Sequence, residues 1–124
     1  MSTKSILLID DEPNLAAVIA VCLESFKDWQ VCVVNSGKDG LSIVGDLQPD
    51  AILLDVMMPE MDGIEVYRNL QANSHTQHIP VILLTAKVQS RDRECFENLG
   101  VVGVIAKPFD PMAIADRIAQ ILGW

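Results

Sequence analysis

The sequence predicts an α/β domain, a doubly wound five-stranded parallel sheet with helices on both faces. Three observations carry this. Five short apolar runs recur, at residues 6–9, 31–34, 51–54, 81–84 and 101–106, and each gap between them can hold a helix. The runs are continuously apolar rather than alternating, as strands covered on both faces should be. The chain has 124 residues and is 50% apolar, which suits one domain that buries most of its unfolded surface without staples.

The elements follow in order. After the first strand, Pro13 fits the first turn of a helix whose face is Leu15, Val18, Ile19, Cys22, Leu23 and Phe26. The second helix opens on a capping Ser36 and carries Leu41, Val44 and Leu47. The third begins near Asp62 and Gly63 and uses Val66, Tyr67 and Leu70. The fourth, over 89–98, is mostly charged, with Cys95 and Phe96 apolar before Leu99. The fifth starts at Asp110 and Pro111 and packs Ile114, Ile118, Ile121 and Leu122. The chain stops at Trp124, so a single domain over 1–124 with no effector domain is expected.

Charge and composition exclude several functions. There are 9 Lys and Arg against 17 Asp and Glu, a formal charge of −8. A binder of nucleic-acid backbone needs a basic stripe, so no direct nucleic-acid partner is expected. No run approaches the roughly 18 apolar residues of a membrane span, and the first apolar run is too short for a signal peptide. No membrane insertion and a cytoplasmic location follow as expectations. Cys22, Cys32 and Cys95 show no C-x-x-C spacing and read as small buried hydrophobes in a reducing compartment.

The polar residues fall at strand ends. The first strand ends in Asp10-Asp11-Glu12, the third in Asp55, the fourth in Thr85 and the fifth in Lys107-Pro108. Singly, these are a turn or helix cap, a loop cap, another cap and a solvated lysine. In a parallel sheet, however, all strand C-termini share one edge. The common order 2-1-3-4-5 makes strands one and three neighbours at the switch point, so three carboxylates, a hydroxyl and an ammonium converge.

Such carboxylates repel unless a cation is supplied, and a hard divalent ion such as Mg²⁺ takes oxygen ligands. An Asp beside Mg²⁺ and a lysine can attack phosphorus and form an aspartyl-phosphate. The ammonium and hydroxyl then neutralise the moving phosphoryl group. There is no G-x-x-x-x-G-K-[ST] and no G-x-G-x-x-G, which argues against a bound nucleotide.

At these residues the sequence closely resembles the receiver domain of two-component response regulators, with its flavodoxin-like (βα)5 fold. The resemblance runs from Ile6-Leu7-Leu8-Ile9-Asp10-Asp11-Glu12, through Leu54-Asp55-Val56-Met57-Met58-Pro59-Glu60-Met61-Asp62-Gly63 and Leu84-Thr85-Ala86, to Ala106-Lys107-Pro108-Phe109. It implies that Asp55 accepts phosphate from a sensor histidine kinase or a histidine phosphotransfer protein. Asp11, Asp55 and the Met57 carbonyl would hold Mg²⁺ directly, and Asp10 through water. Thr85 would bond a phosphoryl oxygen and report phosphorylation, with the Ala86 amide beside it. Lys107 would pair with carboxylate or phosphate, and the Lys107–Pro108 peptide is usually cis in the family.

One position departs from the pattern. The family commonly has an aromatic ring three residues before this lysine, and here that residue is Val104. A valine has one stiff χ1 and too little length for the usual exchange of ring poses. The switch is therefore expected to run from Thr85 through the backbone of Ala86, Lys87 and Val88 to the fourth helix. The implied protein is a signalling module, not a dedicated enzyme. It would be a monomer or weak dimer that binds a downstream protein partner or passes phosphate onward. The strongest enzyme alternative is a small Mg²⁺-dependent phosphatase of haloacid dehalogenase type, which wants D-x-D where Glu12 stands third. A flavin carrier on this fold would want a Ser/Thr-rich loop after the first strand.

Overall fold

The computed structural model describes residues 3–86 and 90–124. The elements are β1 (Ser5–Ile9), α1 (Pro13–Lys27), β2 (Gln30–Val34), α2 (Gly37–Leu47) and β3 (Ala51–Asp55), followed by α3 (Gly63–Ala72), β4 (Val81–Thr85), α4 (Ser90–Leu99), β5 (Gly103–Ala106) and α5 (Ile114–Leu122). The five strands form one parallel sheet in the order β2-β1-β3-β4-β5. This is the expected doubly wound sheet. The register pairs Ile9 with Leu54 and Thr85 with Ala106. Asp10 thereby follows β1 beside the end of β3, and Lys107 follows β5 beside Thr85.

Alternate strand residues face opposite layers. Ile6, Leu8, Leu53, Ile82, Leu84 and Ile105 pack with Ile19 and Leu23 of α1 and Ile114 and Ile118 of α5. Leu7, Ile9, Ile52, Leu54 and Leu83 pack with Val44 of α2, Val66, Tyr67 and Leu70 of α3, and Phe96 of α4. Every residue of β3 and β4 is buried, which is why those runs contain nothing soluble until the polar residue that ends them. Burial of this kind contributes about 1.5–3 kcal/mol for each large side chain.

The edge strand β2 differs from expectation. It is only partly covered, with Val33 37% exposed, because no strand lies beyond it and the helices cover its faces incompletely. Val18, Leu47 and Cys95 are likewise exposed rather than buried. In α1 the buried line is Ala16, Ile19 and Leu23, with Val18 turned to its side. In α2 the inner face is Gly37, Gly40 and Val44. A Cβ on Gly40 would run into the Ile9 side chain, so the glycine lets α2 settle directly onto β1. Apolar spacing alone could not show that a glycine is the contact residue.

Two boundaries also move. β5 begins at Gly103 rather than at 101, since its ladder with β4 starts at Ile82 against Gly103. Asp110 does not open α5 but closes a turn, accepting from the Met112 amide at 2.9 Å and, through its carbonyl, from the Ala113 amide at 3.0 Å. The helix proper starts at Ile114. The expected caps at Ser36 and Asp62 are present, accepting from the amides of Asp39 and Glu65 at 3.1 and 2.9 Å.

Gly63 positions the site. Its amide donates to the Val56 carbonyl at 3.0 Å, and a Cβ there would overlap the Asp55 carbonyl and the Val56 backbone. Backbone cannot move aside as a side-chain tip can. Gly63→Ala should therefore lower stability by about 1–3 kcal/mol in urea unfolding. Gly45→Ala, on the open side of α2 with nothing within 4 Å, should raise it by about 0.5–1 kcal/mol through helix propensity. A Gly63→Ala chain as stable as the parent would show that the β3–α3 junction is loose.

Candidate functional site

The C-terminal edge of the sheet gathers the predicted residues. Asp10 is completely buried, at 0% exposure. Its amide donates to the Val34 carbonyl at 3.1 Å, and the Asn35 side chain donates to the Asp10 carbonyl at 3.1 Å. Two bonds from the end of β2 thus fix where β1 releases the chain. Asp10 Oδ1 then accepts from the Glu12 amide at 2.9 Å, which folds the acidic run back over the sheet edge before α1 begins.

Asp55 is the last residue of β3 and is 1% exposed. Its Oδ1 accepts from the Met57 amide at 3.2 Å, and its Oδ2 lies 3.1 Å from the Lys107 Nζ. The same ammonium is 3.9 Å from Asp10 Oδ2. Thr85, buried at 0% exposure, ends β4, and its carbonyl accepts from the Lys107 amide at 2.8 Å. That bond ties the hydroxyl residue and the lysine to one another across β4 and β5. The Lys107–Pro108 peptide is cis.

Carboxylate oxygens of Asp10, Asp11, Glu12 and Asp55 lie within 4.8 Å of one another. Asp10 Oδ2 and Asp11 Oδ1 are buried yet accept no hydrogen bond from any described residue, and Asp55 Oδ2 lies 3.1 Å from the ammonium. Orphaned buried oxygens are costly in a folded protein. Among the described residues one ammonium against four carboxylates leaves a strongly negative pocket, and these all-oxygen donors fit a hard divalent cation that keeps part of its water.

The Asp10 carboxyl is pushed up from 3.8 to about 6, first by burial, with the Asp55 charge adding to it and the Glu12 amide and Lys107 opposing it. The sequence pointed to repulsion among these carboxylates; burial is the larger cause.

Asp10, Asp11, Asp55, Thr85 and Lys107 therefore converge as read from the sequence. Met57 reaches the cluster through its backbone amide, while its side chain is 57% exposed. Val104 stands apart, half-buried in β5 opposite Leu83 and packed against the apolar layer of α2, α3 and α4. Two participants were missed. Glu12 read, with Asp10 and Asp11, as part of a turn or helix cap, and Asn35 drew no reading; the turn at Asp10 brings the first to the cluster and the end of β2 beside β1 brings the second. Beside it an open cleft of about 630 Å³ runs between the loop after β3 and α4, lined by Met57, Met58, Ile64, Cys95 and Phe96 among others. The route expected through Lys87 and Val88 lies outside the described residues.

The sequence profile described as "Response regulator receiver domain" matches residues 6–119. The chain belongs to the response regulator receiver domain family. The receiver is 35% identical over 115 residues to the DNA-binding response regulator MtrA of Mycolicibacterium smegmatis, 93% of this chain and 49% of MtrA. It is 34% identical over 122 residues to the phosphate regulon transcriptional regulatory protein PhoB of Pseudomonas aeruginosa, 98% of this chain and 53% of PhoB. The chain thus spans about half the length of these curated relatives.

Among solved structures it resembles the receiver domain of a sensor histidine kinase from Pseudomonas aeruginosa, which has a magnesium ion coordinated in its active-site cleft. The TM-score is 0.85 at 29% identity, covering 99% of this chain and 100% of that one. Receivers are phosphorylation-controlled modules of two-component signalling, and the haloacid dehalogenase reading is not favoured. No helix among the described residues is long and apolar enough to cross a membrane.

The raised Asp10 carboxyl has a consequence for stability. Between 3.8 and about 6 the folded receiver holds a proton that the unfolded chain has released. Its contribution is fully present below 3.8 and is lost as pH rises through about 6. In chelator, Asp10→Asn should melt above the parent at pH 8, and that advantage should vanish by pH 4. A difference in melting temperature that is constant across this range would show that Asp10 does not titrate with folding.

Proposed function

We propose that Asp55 is the phosphoacceptor of this receiver, taking a phosphoryl group from a phosphohistidine. The observation that carries this is the pairing of a 1% exposed Asp55 with the Lys107 ammonium 3.1 Å away, beside Asp10 Oδ2 and Asp11 Oδ1, which are buried and accept no hydrogen bond among the described residues. An Asp55 carboxylate oxygen attacks phosphorus, the P–N bond breaks, and the electron pair leaves with the imidazole. Lys107 lies where it can balance charge on the phosphoryl oxygens, and Thr85 ends the neighbouring strand where its hydroxyl can donate to one of them. Asp10 and Asp11, with Asp55 and the Met57 carbonyl, are the residues that would hold Mg²⁺. The ion would screen charge between the carboxylates and the incoming phosphoryl group.

Residues 1–124 are read as one receiver domain serving as a binding switch or a phosphate relay, not as a dedicated enzyme. Its partners are a sensor histidine kinase or histidine phosphotransfer protein on the input side and a protein on the output side. The net charge of −8 supports leaving nucleic acid out of these residues' contacts. Three free cysteines support a reducing, cytoplasmic location. A monomer or weak dimer is proposed for the free state.

Asp55→Asn should abolish uptake of acid-labile phosphate from a small phosphodonor, and a chelator should do the same to the parent. Undiminished labelling of Asp55→Asn would move the nucleophile to Asp10 or Asp11. Labelling that ignores the chelator would remove the metal from the reaction.

Output is proposed to travel from Thr85 to α4, where Phe96 is the buried residue among the described side chains and little burial resists movement. On adding a phosphoryl mimic, amide shifts should concentrate at Thr85, Ala86 and along α4. They should survive Val104→Ala and be largely erased by Thr85→Ala. The reverse pattern would place the switch on β5.

A further inference from the structure

We infer that Glu12 is a fourth acidic participant at the cation site, reaching the ion's hydration shell from the open mouth of the pocket and tightening its hold. The inference rests on the Mg²⁺ reading of the site. Three observations converge. The Glu12 carboxylate lies with those of Asp10, Asp11 and Asp55, oxygens within 4.8 Å of one another. Glu12 occupies the cap position of α1, yet its side chain makes no capping hydrogen bond to that helix. And the site contains the Asp10 Oδ2 and Asp11 Oδ1 atoms, buried and without a hydrogen-bond donor among the described residues, which suits a site that a cation completes.

The geometry explains why Glu12 faces the pocket. Asp10 Oδ1 takes the Glu12 amide at 2.9 Å, turning the chain back on itself just before Pro13 enters α1. The Glu12 side chain is not held by the free amides of the first turn, so it is available to the pocket. Glu12 stays exposed at the rim, while Asp10 and Asp55 form the floor. An exposed carboxylate with a long stem can accept from a metal-bound water without being dehydrated itself. Its charge also adds to the attraction on a divalent cation, and cation affinity in oxygen sites rises with the number of acidic groups.

The test is Mg²⁺ binding by isothermal titration calorimetry on the full chain at pH 8, with circular dichroism to verify each variant's fold. Glu12→Gln should raise the Kd for Mg²⁺ about five-fold, in line with removing one charge near the ion. Glu12→Asp keeps the charge but shortens the reach, and should recover less than half of the loss. The deficit of both variants should persist in 0.5 M KCl, where remote charges are screened. Equal Kd values for the parent and Glu12→Gln would overturn this role and leave Asp55 as phosphoacceptor. Full rescue by Glu12→Asp with no deficit in high salt would overturn it too, reducing Glu12 to a distant charge. If the parent binds no Mg²⁺ at all, this inference and the metal assignment fail together.

Discussion

Asp55 lies 1% exposed with the Lys107 ammonium 3.1 Å from its Oδ2, and the domain is arranged to keep that carboxylate dry and reachable from one side. A buried charge is tolerable only when it is paired. Its partner comes from β5, two strands away across β4, so the sheet must be parallel and in register for the pair to exist. The register supplies this, joining Asp55 to Leu84 and Thr85 to Ala106, with Lys107 next in the chain. The apolar layers on both faces are what make the sheet rigid enough to hold those distances.

The pocket is left negative by design of its placement. Among the described residues one ammonium, near Asp10 and Asp55, stands against a cluster of four carboxylates, and two buried oxygens have no donor. An apolar core of this size can carry such a cost locally, because β3 and β4 are buried along their whole length. Oxygens left in this way suit a cation. Function sits where the fold is least content.

Close approach is the second theme. Gly63 and Gly40 both stand where a methyl group would strike β3 backbone or the Ile9 side chain. The first lets α3 begin immediately after the Asp55 loop, and the second lets α2 lie flat on β1. The caps at Ser36 and Asp62 start these same helices at fixed residues. Small side chains and caps therefore set where the site's strands stop, although none of them touches the chemistry.

The five strands, their order and the residues Asp10, Asp11, Asp55, Thr85 and Lys107 were legible in the sequence. Buried strands must be apolar throughout, so a polar residue at the end of each stands out, and parallel crossovers place those ends together. Other features were not legible. The exposure of Val18, Leu47 and Cys95 depends on which neighbour covers a helix face, and the half-bare β2 depends on its being an edge. The start of α5 at Ile114 was hidden by the turn that Asp110 closes. Glu12 joined the site through the hydrogen-bonded turn at Asp10 and Asn35 through its bond to the Asp10 carbonyl from the end of β2, neither of which a local pattern states. Hydrophobic period and residue type determine what a segment becomes. Which side chains then meet is decided by packing and turn geometry, because those distances are set by residues far apart in the chain.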